Sequence, residues 1–528
     1  MELSTISLLF LILPLISLLI LAPSHSRRGG GSRAETYRKR RPPGPWGLPF
    51  IGSIHHLLTS QPQAALRELA KKHGPVMYLR LGQVDTVVVS SPEAAQEVLR
   101  ANDINFASRP SLLAADIICY GNLDIAFSPY GDYRRALRKL CTLELLSARK
   151  VKQFAGIRDR ETMSLVAEVQ AAAAAAGGQP VNLGGLLISC TNSITGLATF
   201  GHFCSGARTK RFLSAMNEAL KYSSGFCVSD LFPSMWFLDV VTGTRYQLRR
   251  AHRQLDQVFD EIIAEGEARA RRRNAQGEDR DREGEHDLLS VLLWIRDEGD
   301  SELPITTINI KAIIVDMFMA GTETTSSAAE WVMSELIKNP DKMAKAQAEV
   351  RQAFDNKNPL DHESNVHHLH YLSMVIKETM RLYGLYPPIP LLLPRLCRET
   401  CDVGGFEVAR GSRVIVNAWA MARSPEYWSD DSEEFNPERF EKSVLDYKGT
   451  QFEYLPFGSG RRMCPGSGFG LATLELILAR LLYYFDWSLP AGMQPLELDM
   501  DMTVGSTARR SNQLHLVASP YGKVTAKS

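Results

Sequence analysis

Cysteine is scarce in this chain. Eight are spread over 528 residues, at 119, 141, 190, 204, 227, 397, 401 and 464, and none belongs to a CxxC pair. That argues against a disulfide scaffold and against a structural zinc site. Net charge is nearly absent: 60 Lys and Arg against 59 Asp and Glu leave +1. A nucleic-acid partner, which needs a basic face, is therefore not expected. There is no internal repeat and no G-x-G-x-x-G following a strand, so the chain has no dinucleotide fold of its own. Strand signals are few and short: Val76–Leu81, Thr86–Ser90, Asp402–Phe406, Arg413–Asn417 and Gln513–Ser519. What is present is 45% hydrophobic and 23% charged residues, enough for a real core and too apolar for a disordered chain.

Long apolar runs are also rare, and the one clear case is at the N-terminus. From Leu3 to Ala22, fifteen of 20 residues are apolar and none is charged, which as a helix spans a bilayer's hydrocarbon core. Arg27, Arg28, Arg33, Arg38, Lys39, Arg40 and Arg41 follow, against Glu2 alone before it. The positive-inside rule makes residues 1–26 a transmembrane anchor contacting membrane lipid, with the body in the cytosol. A cleaved signal peptide fits less well, because the charged n-region is missing and basic residues come after the run. Residues 27–52 read as a basic and proline-rich linker, ending in Pro42-Pro43-Gly44-Pro45-Trp46-Gly47-Leu48-Pro49, a stiff spacer. Residues 53–528 form the catalytic body.

That body is expected to be mainly α with a small β region. Helical periodicity runs through Gln63–His73, Glu93–Asn102, Tyr133–Leu145, Lys152–Ala176, Lys210–Ser223, Tyr246–Arg273, Asp287–Asp297, Thr306–Asn339, Lys342–Phe354, Tyr371–Tyr383 and Leu471–Phe485. Arg269–His286, dense in both charge signs, reads as a solvated linker.

The chemistry concentrates at Cys464. It sits in Phe457-Gly458-Ser459-Gly460-Arg461-Arg462-Met463-Cys464-Pro465-Gly466, a glycine-rich turn before an apolar helix. Glycines let a backbone approach a flat cofactor, N–H groups at a helix start stabilise a thiolate, and Arg462 offers a guanidinium to a carboxylate. A buried, inert cysteine is the plainer reading, and the polar, arginine-flanked setting argues against it. Further upstream, Ala320-Gly321-Thr322-Glu323-Thr324-Thr325 interrupts a long helix with a glycine that costs about 1 kcal/mol there. Close approach of a ligand to the backbone is one reason for such a glycine.

These motifs resemble those of the cytochrome P450 family. Phe457, Gly460, Arg462, Cys464 and Gly466 fill its F-x-x-G-x-R-x-C-x-G pattern, Ala320, Gly321, Glu323 and Thr324 its [AG]-G-x-[DE]-T pattern, Glu378 and Arg381 its E-x-x-R, and Pro437-Glu438-Arg439-Phe440 its P-E-R-F segment. The spacer, the stretch Asp316–Thr325 and Pro387–Arg395 look like plant microsomal A-type members. The resemblance implies the family's fold and haem b (iron protoporphyrin IX). Cys464 would be the iron ligand, and Arg138, Arg395, Phe457, Arg462 and Gly466 would contact the cofactor. Thr324 and Glu323 would manage protons during oxygen activation, and Glu378, Arg381 and Arg439 would form a structural triad. It also implies a pocket containing Leu113, Ile117, Asp316, Met319, Ala320, Ile389, Leu392 and Gly505. Asp316 could meet a substrate hydroxyl or simply be hydrated.

The implied activity inserts one atom of O2 into a lipophilic substrate, first a terpenoid or diterpenoid. Electrons would come from NADPH through NADPH–cytochrome P450 reductase at the endoplasmic reticulum membrane. A reductase-independent isomerase or dehydratase, and a haem carrier, are competing readings that retention of Glu323 and Thr324 disfavours. One departure stands out. The family's W-x-x-x-R, whose tryptophan donates to a haem propionate, here begins with Arg134 and keeps Arg138. Arg134 could take that role or face solvent, where the reductase is expected to dock.

Overall fold

A computed structural model describes residues 41–201, 207–223, 226–275, 287–298, 304–355, 357–384, 391–504 and 508–521. The expected anchor over 3–22, most of the basic run, part of the charged stretch 269–286, Ile389 and Gly505 lie outside the described residues.

The helices that frame the site are α1 (Pro62–His73), α2 (Leu113–Ile118), α3 (Asp132–Leu140), α4 (Ala155–Ala176), α5 (Leu183–Phe200), α6 (Ala207–Ser223), α7 (Thr244–Ala275), α8 (Leu288–Glu298), α9 (Thr307–Lys338), α10 (Pro340–Phe354), α11 (His370–Tyr383) and α12 (Ser467–Tyr484). The strands are β1 (Val76–Leu81), β2 (Val84–Val89), β3 (Val181–Asn182), β4 (Arg395–Leu396), β5 (Cys401–Val403), β6 (Phe406–Val408), β7 (Arg413–Val416), β8 (Phe485–Ser488), β9 (Met502–Val504), β10 (Ala508–Arg510) and β11 (His515–Pro520). Pro42–Ser528 makes up one unit, mainly α with small sheets.

Helix α9 is the spine. Its start is fixed by a capping box: Thr306 Oγ1 accepts from the Asn309 N–H at 3.4 Å, and Asn309 Oδ1 accepts from the Thr306 N–H at 2.8 Å. It ends at Asn339 because Pro340 starts the next helix. From Thr325 to Ile337 every residue of α9 is buried, Glu330 and Glu335 included, so this half is enclosed on all sides. It packs on α5, α11 and α12.

Helix α5 carries no clear helical period in its sequence. Leu183–Phe200 is uncharged and mixes apolar residues with Gly, Ser, Thr and Asn, with no clear polar face to mark a helix. Among the described residues it is the helix long and apolar enough to cross a membrane, but 61% of it is buried in the body. It is a core helix.

The main sheet runs β1-β2-β7-β4. Strands β1 and β2 pair antiparallel, β2 and β7 parallel from Thr86↔Arg413, and β4 adds at the edge with Arg395 opposite Val414. The segment read as a stiff spacer does not stand off from this sheet. The Tyr78 N–H donates to the Pro43 carbonyl at 2.8 Å, and a side chain at Gly44 would come within 1.9 Å of the Tyr78 oxygen. Gly52 turns at φ +61 against the Arg80 carbonyl. Residues 42–52 are strapped to β1.

Candidate active site

One cavity, about 1320 Å³ of non-protein space partly open to solvent, collects most of the motif residues. Its wall includes Cys464, Gly466, Phe457, Arg138, Arg395, Arg462, Asp316, Ala320, Thr324 and Leu392. Sequence separations above 100 residues are closed here by α9 on one side and the Cys464 turn on the other.

The turn is held by the Cys464 N–H donating to the Phe457 carbonyl at 3.0 Å. Gly458 and Gly460 adopt φ +70 and +67, and a side chain at Gly460 would meet the Leu99 carbonyl at 2.3 Å, so glycine is required there. Helix α12 begins three residues after Cys464. The Gly466 and Ser467 N–H groups and Arg138 favour the thiolate, but burial outweighs them and pushes the thiol up. Arg138 also donates to the Met463 carbonyl at 2.5 Å, tying α3 to the turn.

Five arginines, at 109, 134, 138, 395 and 462, reach the same cavity. Arg462 donates to the carbonyls of Ala107 at 2.6 Å, of Ile125 and Ala126 at 3.2 Å, and of Ser128. Arg395 donates to Phe106 and Ser459 carbonyls and lies 3.6 Å from Asp103. Arg109 donates to the carbonyls of Ala126, Leu393 and Pro394. Burial, then mutual repulsion, pushes Arg462 down to about 9, while burial leads the fall of Arg134 and Arg395 to about 10. Arg134 is buried, so its solvent-facing reading is corrected, and its Nε has no acceptor. An underneutralised ring of cations beside a half-buried thiol suits a planar cofactor that brings two carboxylates and a metal.

On α9, residues 316, 320 and 324 form one stripe at four-residue spacing toward the cavity. Thr324 Oγ1 donates to the Ala320 carbonyl at 2.5 Å. Glu323, one residue earlier, is turned to β10, where it pairs with Arg509 at 3.6 Å. The explanation for Gly321 changes. A side chain there would press on Thr195 of α5 at 3.2 Å, so the glycine admits a neighbouring helix as well as edging the cavity.

Asp316 is not an open polar group of the pocket. Its Oδ2 accepts from the N–H groups of Ile125 at 2.6 Å and Ala126 at 3.1 Å, clamping the loop whose carbonyls hold Arg462. Burial and the neighbouring Asp124 carboxylate push it well up, and burial pushes Asp124 up as well. Cys119, Asp124 and Asp316 come within 4.8 Å of one another, but Asp316 and Asp124 already accept backbone N–H groups.

Three expected pocket residues do not line this cavity. Met319 lies about 100° around α9 from Ala320 and packs into the core. Leu113 and Ile117 belong to α2, which packs on α6 and α7. The residues that sequence reasoning missed are Arg109, Asp124 and Thr195. Each comes from a stretch with no motif, and Arg109 has only a following proline to mark it.

Apart from the cavity, Glu378, Arg381 and Arg439 are brought together. Arg381 makes two bonds of 2.8 Å to the Glu378 carboxylate, and Arg439 Nε adds one of 3.0 Å. Arg381 also donates to the carbonyls of Ala422, Ser432 and Glu434.

Comparison with known proteins gives one answer. Residues 42–515 match the cytochrome P450 family. The chain is 60% identical over 494 residues to "Cytochrome P450 99A2" of Oryza sativa subsp. japonica, covering 93% of this chain and 90% of that one. It is 59% identical to the rice "9-beta-pimara-7,15-diene oxidase", with 94% and 95% covered. It is 48% identical to "Premnaspirodiene oxygenase" of Hyoscyamus muticus, with 92% and 94% covered. A zebrafish cytochrome P450 solved with progesterone superposes with TM-score 0.70 at 25% identity, covering 87% of this chain and 99% of that one. The chain belongs to the cytochrome P450 family, in its plant A-type branch, and is a monooxygenase with the family's haem iron.

Proposed function

We propose that the cavity is the haem site of a terpenoid monooxygenase. Cys464 is the iron ligand, Phe457 and Gly466 border the haem face, and Arg138, Arg395 and Arg462 surround its propionates. One observation carries this: a half-buried cysteine in a glycine turn and the Thr324 stripe of α9 wall one cavity ringed by arginines. The haem supplies electron transfer and cleavage of the O–O bond. The balanced reaction is substrate, O2, NADPH and a proton giving hydroxylated substrate, water and NADP+.

The chain's own residues bind, orient and manage protons. Thr324 holds its hydroxyl at the cavity wall through the Ala320 carbonyl, where rotation about one bond re-aims it as a donor. Glu323 stands at the α9–β10 junction beside Arg509, a route for protons from solvent. Glu378, Arg381 and Arg439 hold the body around the site without touching the substrate. Asp316 fixes a cavity-lining loop, while Ala320 and Leu392 give apolar surface. Ile389 and Gly505 remain proposed wall positions.

Identity to a pimaradiene oxidase and a premnaspirodiene oxygenase supports a terpenoid substrate, a diterpenoid first. Residues 1–26 anchor the chain in the endoplasmic reticulum membrane, residues 27–41 lead to the body, and NADPH–cytochrome P450 reductase supplies electrons.

The test is microsomal turnover of candidate diterpenes with and without reductase, following NADPH, peroxide and product together. Wild type needs reductase and yields a product one oxygen heavier. Thr324→Ala keeps haem and substrate binding but consumes NADPH with more peroxide and at least tenfold less product. Turnover without reductase, or a Thr324→Ala variant as well coupled as wild type, overturns the proposal.

A further inference from the structure

We propose that Arg134 binds a haem propionate through its guanidinium, so that this chain holds the cofactor edge with a cation where the family pattern has a neutral tryptophan N–H. This rests on the reading of the Cys464 cavity as the haem site. Helix α3 carries three arginines that separate cleanly by face. Arg135 points outward and pairs with Asp132 in solvent. Arg134 and Arg138, four residues apart, share the inner face and line the cavity. Arg138 is anchored on the Met463 carbonyl. Arg134 is not anchored: it is 3% exposed, its Nε is enclosed without an acceptor, and among the described residues it makes no ion pair within 4.0 Å.

The nearby carboxylates do not answer it. Asp316 accepts the Ile125 and Ala126 N–H groups, and Asp124 accepts that of Phe127. After burial, the largest influence on Arg134 is another cation, Arg138, ahead of the opposing pull of Asp316 and Asp124. A buried guanidinium without a counter-charge is costly to a fold, and it persists where a ligand brings the anion. Of the five cavity arginines, Arg109, Arg138, Arg395 and Arg462 all spend N–H groups on backbone carbonyls. Arg134 alone among them keeps its whole fork for a carboxylate, with the geometry for two parallel bonds.

The test uses purified full-length holoprotein as wild type, Arg134→Gln and Arg134→Lys. Haem loss to excess apomyoglobin and the ferric/ferrous potential are measured on each. Arg134→Gln is expected to release haem about tenfold faster, the range of a lost charge-assisted hydrogen bond, and to have a more negative potential, since a cation favours the less positive ferrous state. Arg134→Lys should recover most of both. Equal release and potential in wild type and Arg134→Gln overturn the proposal. So does faster release in Gln and Lys alike with unchanged potentials, which marks a packing role. Should Gln fail to fold, Lys at wild-type release and potential supports the proposal, and Lys released tenfold faster overturns it. Wild type purified without any haem band would sink the haem-site reading itself, together with this proposal.

Discussion

Two buried groups of arginine in this chain differ in how their charge is answered. Around Glu378, the carboxylate takes two bonds from Arg381 and one from Arg439, and Arg439 takes Asp431 as a second anion at 3.0 Å. Remaining N–H groups go to the carbonyls of residues 422–434. Around the cavity, five arginines converge, and among the described residues Asp103 is the carboxylate in ion-pair range of Arg395. Their acidity rises through burial and through one another. The same side chain is architecture in one place and an offer to a ligand in the other. A fully paired buried network holds elements together and leaves nothing for a substrate. An unanswered one stores a cost that a dianionic ligand removes.

The largest effect expected from breaking this contrast is in the paired group. Glu378→Gln leaves Arg381 fully buried without its anion and should lower the unfolding free energy by about 3–5 kcal/mol, read from the urea midpoint. A loss under about 1 kcal/mol would mean the triad does not hold the body. Arg134→Gln is the counterpart, with its cost expected in haem retention.

A third case sharpens the comparison. Glu475 on α12 is a carboxyl pushed up to about 7 by burial alone, with no charged partner acting on it. Its folded value lies above the unfolded 4.5, so its protonated form adds stability that is complete below pH 4.5 and lost as pH rises through 7. Glu475→Gln should match wild type below pH 4.5 and exceed it by on the order of 2 kcal/mol above pH 7. Unfolding curves at several pH values check this, and a pH-independent difference would contradict it.

Motif residues were legible because contiguous turns and single helix faces fix their relations. Cys464 with its glycines, Glu378 with Arg381, and the Ala320–Thr324 stripe each follow from short-range geometry. Other features depend on contacts distant in sequence. Helix α5 has no polar face because it is buried on most sides, so periodicity fails there. Asp402–Phe406 reads as one strand, yet Gly404 and Gly405 at φ +57 and +79 fold it into the β5–β6 hairpin. Asp316 turned out to hold a loop rather than greet a substrate, since its partners are backbone N–H groups that no pattern announces. Arg109 and Asp124 were invisible for the same reason.

The central claim is that the arginine-ringed cavity places a haem against Cys464. The most direct measurement is the reduced carbon monoxide difference spectrum of wild type and Cys464→Ser, at equal protein. The wild type should show a thiolate-type band and the serine variant should lose it. A serine variant that keeps that band at full intensity would contradict the account.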